Sequence, residues 1–86
     1  MQKTVMIMGG ARTPMAEYCG QFKEMSATDL AVVAAKAALE RAGTAPDEID
    51  HTIMGNVVQG GGEAIYSSRH VALRAGVPID RPALTV

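Results

Sequence analysis

The sequence predicts an α/β fold built on a parallel sheet, on three observations. Short runs of strand length alternate with longer stretches of helical composition. The strand-like runs are apolar at consecutive positions rather than at alternate ones, as in a sheet buried on both faces. Glycine or proline punctuates most junctions between them. The order along the chain reads strand, helix, strand, helix, strand.

The first strand is Thr4-Val5-Met6-Ile7-Met8, ended by Gly9-Gly10. A loop from residue 9 to about residue 25 follows, because Pro14 denies a helix there and Gly20 marks a turn. Ser26 and Asp29 have the spacing of a capping box, with Asp in place of the usual Glu, and so predict a helix over residues 27–42. Asp29 also places negative charge in the first turn, where it suits the helix dipole. The stretch is rich in alanine and leucine, both strong helix formers. Asp29, Lys36 and Glu40 fall on one narrow stripe and nearly everything else is apolar. A wide buried surface, made mostly of alanine and lying close to a sheet, is therefore expected. Gly43 is placed to end this helix in a left-handed conformation.

Pro46-Asp47-Glu48-Ile49 reads as a single helical turn with proline at its first position. The second strand region is Thr52-Ile53-Met54-Gly55-Asn56-Val57-Val58, with Gly55 as a bulge or close approach. Gly60-Gly61-Gly62 forms the next loop. The second helix is predicted over residues 63–75, ended by Gly76 with Pro78 beyond. Asp80-Arg81-Pro82 turns the chain into the last strand, Ala83-Leu84-Thr85-Val86. Two right-handed crossovers stepping the same way put both helices on one face of the sheet. The other face is also apolar and needs a cover. Ligands of open α/β sheets collect beyond the carboxyl ends of strands. The chemistry is thus expected beyond Val86, and the chain reads as an amino-terminal piece of an enzyme.

Composition excludes several functions. A chain of 86 residues buries only about 60% of its unfolded surface, so its stability is expected to be marginal. Cys19 is the one cysteine, so no internal disulfide adds support, and the Cys/His spacing offers no structural metal site. The net charge of −1 and the lack of a basic cluster give no footprint for nucleic acid or an anionic membrane. No apolar run is long enough to span a bilayer. A strand pattern begins close to Met1, without room for a cleaved targeting peptide. These features together predict a cytoplasmic protein.

Several residues invite a functional reading. Gly9-Gly10 follows a strand, but no G-x-G-x-x-G is present and Pro14 blocks the helix that a dinucleotide turn needs. Gly60-Gly61-Gly62 precedes a helix without a Walker lysine, which favours a turn over a phosphate cradle. Cys19 with His51 or His70 has the residue types of a nucleophile and base. Cys19 has no predicted cation or helix N-terminus to lower its pKa, so a packed or incidental thiol is the better reading. Arg69 and His70 sit mid-helix, in a salt bridge, on a solvated face or across an interface. Arg12, at the carboxyl end of the first strand, either touches a ligand or braces its loop with its fork of donors.

Three groups of residues carry a resemblance. Gly10-Ala11-Arg12-Thr13-Pro14, Gly20-Gln21-Phe22-Lys23 and Ser26-Ala27-Thr28-Asp29-Leu30 resemble the opening of the thiolase family. Met54-Gly55-Asn56-Val57-Val58-Gln59 is similar as well. So is the run from Ile65 through Tyr66, Arg69 and His70 to Gly76-Val77-Pro78, with Pro82-Ala83-Leu84-Thr85-Val86 after it. The likeness covers the whole chain in order, and residues 66–78 are most similar to 3-ketoacyl-CoA and acetoacetyl-CoA thiolases. Ala16-Glu17-Tyr18-Cys19 departs from the family where a Gly- and Phe-containing turn is common. The loop at Gly60 lacks the Gln-Asn-Pro seen in many acetoacetyl-CoA thiolases.

The resemblance implies residues 1–86 to be the incomplete amino-terminal part of the thiolase N-terminal domain. This is the βαβαβ portion of a mixed sheet, within one half of an αβαβα layered fold. It implies an acyltransferase of fatty acid metabolism that condenses acyl-CoA or cleaves 3-ketoacyl-CoA through a cysteine acyl-enzyme. The family's nucleophile lies just after the strand corresponding to Ala83-Leu84-Thr85-Val86. On this reading residues 1–86 hold no catalytic, coenzyme A-binding or metal-binding residue, and Cys19 matches none. Coenzyme A thioesters are substrates, and no further cofactor is expected. The remainder of the thiolase chain is the first partner. The second is another subunit, in a homodimer or homotetramer with Ala83, Leu84, Thr85 and Val86 at the dimer edge. A thiolase-like non-catalytic subunit or scaffold is the alternative, and an unrelated small α/β binding module is a third.

Overall fold

Local signals set the first helix. In the computed structural model, which describes residues 3–62 and 65–86, α1 spans Ala27–Ala42. Its capping box closes as the spacing predicts. The Asp29 N–H donates to Ser26 Oγ at 3.0 Å, and the Ser26 N–H donates to Asp29 Oδ2 at 3.1 Å. Gly43 ends the helix at φ 66° and ψ 27°. The Gly43 N–H reaches Glu40 O and the Thr44 N–H reaches Leu39 O, so two orphan carbonyls are satisfied. A single 3₁₀ turn, Pro46–Glu48, follows with proline first.

Among the described residues the sheet has two strands, β1 (Thr52–Met54) and β2 (Ala83–Thr85), paired in parallel. Thr52 lies opposite Ala83, Ile53 opposite Leu84 and Met54 opposite Thr85. Between them runs α2, Ser67–Arg74. The order α1–β1–α2–β2 contains one parallel crossover unit, with α2 packed on both strands and α1 packed on α2. Val32, Val71, Ala72, Ala75 and Val77 form the small apolar core.

Four expectations change. The run Thr4-Val5-Met6-Ile7-Met8 forms no strand, and Val5 and Ile7 stand 92% and 93% exposed. A strand needs a partner, and no backbone hydrogen bond among the described residues joins residues 4–8 to the free edge of β1. Gly9-Gly10 adds conformational freedom just after the run. Without that strand, α1 has no sheet of its own to cover. Ala27 is exposed, its other alanines are half-buried rather than buried, and Thr28 and Val32 are its buried residues.

The second strand region is shorter than residues 52–58, because the ladder stops at Met54 and Gly55. One further contact persists, from the Asn56 N–H to Val86 O at 2.7 Å. The second helix begins at Ser67 rather than residue 63. Tyr66 occupies its N-cap with no side-chain bond, and Glu63 and Ala64 lie outside the described residues. Its end is as predicted, with Gly76 at φ 101°.

The apolar outer face of the sheet is open, as the crossover argument expects. Ile53 and Leu84 sit side by side on it, 62% and 49% exposed. The described residues extend over 50 × 24 × 23 Å, with a radius of gyration of 14.0 Å. A spherical domain of this length has about 12 Å.

Candidate functional site

The carboxyl end of the sheet holds a hollow of about 310 Å³. Three pieces of backbone shape it: the end of β1, the glycine loop after it, and the first turn of α1. Met54 and Asn56 supply one wall, Gly60 and Gly61 another, and Ser67 and Arg74 of α2 close it from below. The lining side chains are held by their own hydrogen bonds. Asn56 Nδ2 donates to Ser67 Oγ at 3.3 Å. Arg74 Nη2 donates to Asp29 Oδ1 at 2.8 Å, tying α2 to the start of α1 across the rim.

That ion pair has an electrostatic consequence. The Arg74 guanidinium, and then the Ser26 N–H and hydroxyl, hold the Asp29 carboxyl below the usual aspartate range. Asp29 therefore stays ionised and accepts hydrogen bonds only. The lining thus offers donors, acceptors and one internally satisfied ion pair, which suits positioning more than bond making.

The contact between α2 and the sheet is polar and buried. Ser67 and Ser68 are 2% and 1% exposed. Ser68 Oγ donates to Thr52 O at 3.1 Å, and the Ser68 N–H donates to Thr85 Oγ1 at 3.1 Å. One serine thus reaches both strands, and its small side chain lets α2 sit close to the sheet.

The amino end of the sheet is braced by two arginines. Arg69 closes its fork on two carbonyls, Nη2 on Ile79 O at 2.6 Å and Nη1 on Arg81 O at 2.8 Å. Arg81 Nη1 in turn meets Ile49 O at 3.1 Å and Asp50 Oδ1 at 2.8 Å. So Arg69 makes no ion pair among the described residues; its fork is spent on backbone. A second, more apolar hollow of about 270 Å³ lies between the loop around Pro14 and Phe22 and the flank of α1.

The remaining candidates are dispersed. Cys19 is free and exposed at φ 58°, on the loop that runs from residue 9 to about residue 25. His51 is exposed ahead of β1, and His70 is half-buried within α2. Arg12 Nη1 donates to Thr13 O at 3.2 Å, which is the loop-bracing role. Gly9 lies against the end of α1, and Arg41 Nη1 reaches Gly10 O at 3.4 Å. Gly60-Gly61-Gly62 lines the first hollow as a turn. Among the described residues no group of His, Cys, Asp and Glu could hold a metal ion. No described helix is long and apolar enough to cross a membrane.

Sequence position alone does not single out Asn56, Ser68 and Thr85 as residues that build the site. The adjacent serines inside the predicted helix over residues 63–75 are the one available sign, since small hydroxyls suit a close helix–sheet contact.

Comparison with known proteins decides among the readings. The model of the family described as "Thiolase, N-terminal domain" matches residues 5–86. The chain belongs to the thiolase family. Human mitochondrial 3-ketoacyl-CoA thiolase is 48% identical over 82 residues, which cover 95% of this chain and 21% of that protein. An acetyl-CoA acetyltransferase of Clostridioides difficile is 42% identical over 85 residues, 98% of this chain and 78% of that one. The crystal structure of the human mitochondrial thiolase in complex with CoA superimposes with a TM-score of 0.89 at 48% identity, covering 92% of this chain and 20% of that one. The chain thus spans about a fifth of the human thiolase it matches, and has the thiolase-like α/β fold over that part.

Proposed function

We propose that this chain is the amino-terminal part of an acyl-CoA thiolase. The enzyme condenses two acyl-CoA molecules or cleaves 3-ketoacyl-CoA with coenzyme A, through a cysteine acyl-enzyme. The observation that carries this reading is the family match over residues 5–86. The thiolase and acetyltransferase names of the relatives support an enzyme over a scaffold. A CoA-bound relative with this fold supports coenzyme A thioesters as substrates, with no further cofactor assigned. The nucleophile and its partners lie outside these residues, so residues 1–86 alone turn over nothing. Thiolysis of acetoacetyl-CoA is the test: the full-length protein is active and the 86-residue chain is not. Turnover by the short chain that vanishes in Cys19→Ala would overturn the assignment.

The finer features belong to the same proposal. The enzyme serves fatty acid metabolism and joins a second copy along Ala83, Leu84, Thr85 and Val86. The edge of β2 away from β1 supports this, since it carries no charge in the strand and Pro82 stands only at its start. Thr85→Pro in the full-length protein removes a ladder donor and weakens the dimer, as read by ultracentrifugation on a variant that circular dichroism shows to be folded. A folded variant that dimerises like the parent ends that part. We place the protein in the cytoplasm, because an exposed free Cys19 suits a reducing compartment. Several relatives are named mitochondrial, and imaging the tagged full-length protein separates the two locations.

A further inference from the structure

We infer that Arg69 is a positioning residue whose fork helps hold the register of β2 on β1, and through it the geometry of the hollow at the carboxyl end of the sheet. In its effect on turnover this rests on the thiolase reading above; in its effect on the sheet it does not.

The ladder between β1 and β2 is short. Each strand has three residues. A two-stranded sheet this short is weakly specified by its own ladder. A slip of one residue would reverse the faces of β2. It would carry Leu84 toward α2 and take Thr85 Oγ1 away from the Ser68 N–H, which it now meets at 3.1 Å. The face of β2 packed on α2 and the Ser68–Thr85 contact define which register is native, and a grip on the turn before β2 adds to the few rungs that hold the strand there.

Arg69 is placed to do this. It sits on α2, the element packed on both strands. Its two contacts, 2.6 and 2.8 Å to the carbonyls of Ile79 and Arg81, grip the turn that feeds β2 at two points. Because guanidinium is planar, two such contacts fix the turn in angle as well as in distance. Held this way, the turn presents Pro82 O to the Thr52 N–H at 3.2 Å, the first rung between the strands. The register so held is transmitted to the other end. The Val86 N–H meets Met54 O at 2.9 Å, and Val86 O accepts the Asn56 N–H at 2.7 Å. The Asn56 side chain then reaches Ser67 Oγ in the hollow. A lysine at position 69 offers one point charge on a flexible stem and cannot grip both carbonyls.

The test uses the full-length protein and three forms: unsubstituted, Arg69→Lys and Arg69→Ala. Amide hydrogen exchange of Asn56 and Val86 should speed up at least tenfold in Arg69→Lys, with the α1 amides unchanged. Thiolysis should fall in the same variant, and millimolar guanidinium should restore Arg69→Ala while sodium at equal strength does not. Unchanged protection of Asn56 and Val86 overturns the inference. So does equal acceleration throughout α1, which marks a general loss of stability. Failure of guanidinium to restore either protection or turnover overturns the fork-specific role. If the unsubstituted protein shows no thiolysis, the thiolase reading fails instead, and the exchange result decides for or against the clamp.

Discussion

Replacing Thr85 by valine tests the contact on which α2 depends. Judged by sequence alone the change is favourable, because valine is the better strand former and adds a buried methyl in place of a hydroxyl. Its largest gain is about 0.8 kcal/mol for a fully buried carbon, and less at Thr85, which is only half-buried. Against this stands the Ser68 N–H, in the first turn of a helix whose N-cap residue offers no side-chain bond. Ser68 is 1% exposed, so water cannot replace the lost acceptor. A buried donor left unpaired costs about 1–3 kcal/mol. The loss outweighs the gain, and Thr85→Val should destabilise by about 1–2 kcal/mol. A chain of this size has a total stability on the order of 5 kcal/mol. With a urea slope of roughly 1 kcal/mol/M, the midpoint should fall by about 1–2 M. Urea titration followed by circular dichroism reads this directly. A variant as stable as the parent, or more so, would show that Thr85 Oγ1 is not the helix's effective cap.

Other outcomes follow from the same geometry. Asp29 has a folded-state pKa below its unfolded value, so its contribution is fully present above about pH 4 and is lost as pH falls through the folded value. Between pH 6 and pH 2.5 the parent should therefore lose more stability than Asp29→Asn, and parallel losses in urea titrations would contradict the capping role. Gly43→Ala, at φ 66° in open space, should cost about 1 kcal/mol. Gly76→Ala should cost roughly 1 kcal/mol more, since its Cβ would stand 3.2 Å from the Pro46 ring at φ 101°; equal thermal shifts would remove the contact argument. Cys19→Ser in the full-length protein should leave the maximal rate within a few fold, and a loss beyond about a thousandfold would make Cys19 a catalytic group after all.

The parts of the fold that the sequence made legible are those governed by neighbours in the chain. Ser26 and Asp29, Gly43, Pro46 and Gly76 each act over one to five residues, and each stands where the helix signals put it. The family was legible too, through motifs spread over the whole chain. What misled was apolar composition taken without a partner. Residues 4–8 have the composition of a buried strand, yet strand formation depends on an edge elsewhere and not on the run itself. The site was less legible still. Ser68 and Thr85 are seventeen residues apart, and Arg69 grips carbonyls ten and twelve residues away. Carbonyl partners leave no mark in a sequence, so a fork closed on backbone reads there as an unassigned charge.

The unlike ends of the two helices bear on the order in which the chain can settle as it is synthesised. Helix α1 has sixteen residues and both of its stops within the segment, so it is near the length at which a helix holds some population alone. Helix α2 has eight residues and borrows its first-turn acceptor from Thr85. No helix that short persists in water on its own. When α2 first leaves the ribosome its cap has not yet been made, and the delay lasts until Thr85 has emerged and β2 has found β1. Helix α2, the element packed on both strands, is thus the later of these two helices to become firm, and a nascent chain stalled before residue 85 would present α1 formed and Ser67-Ser68 still open to water.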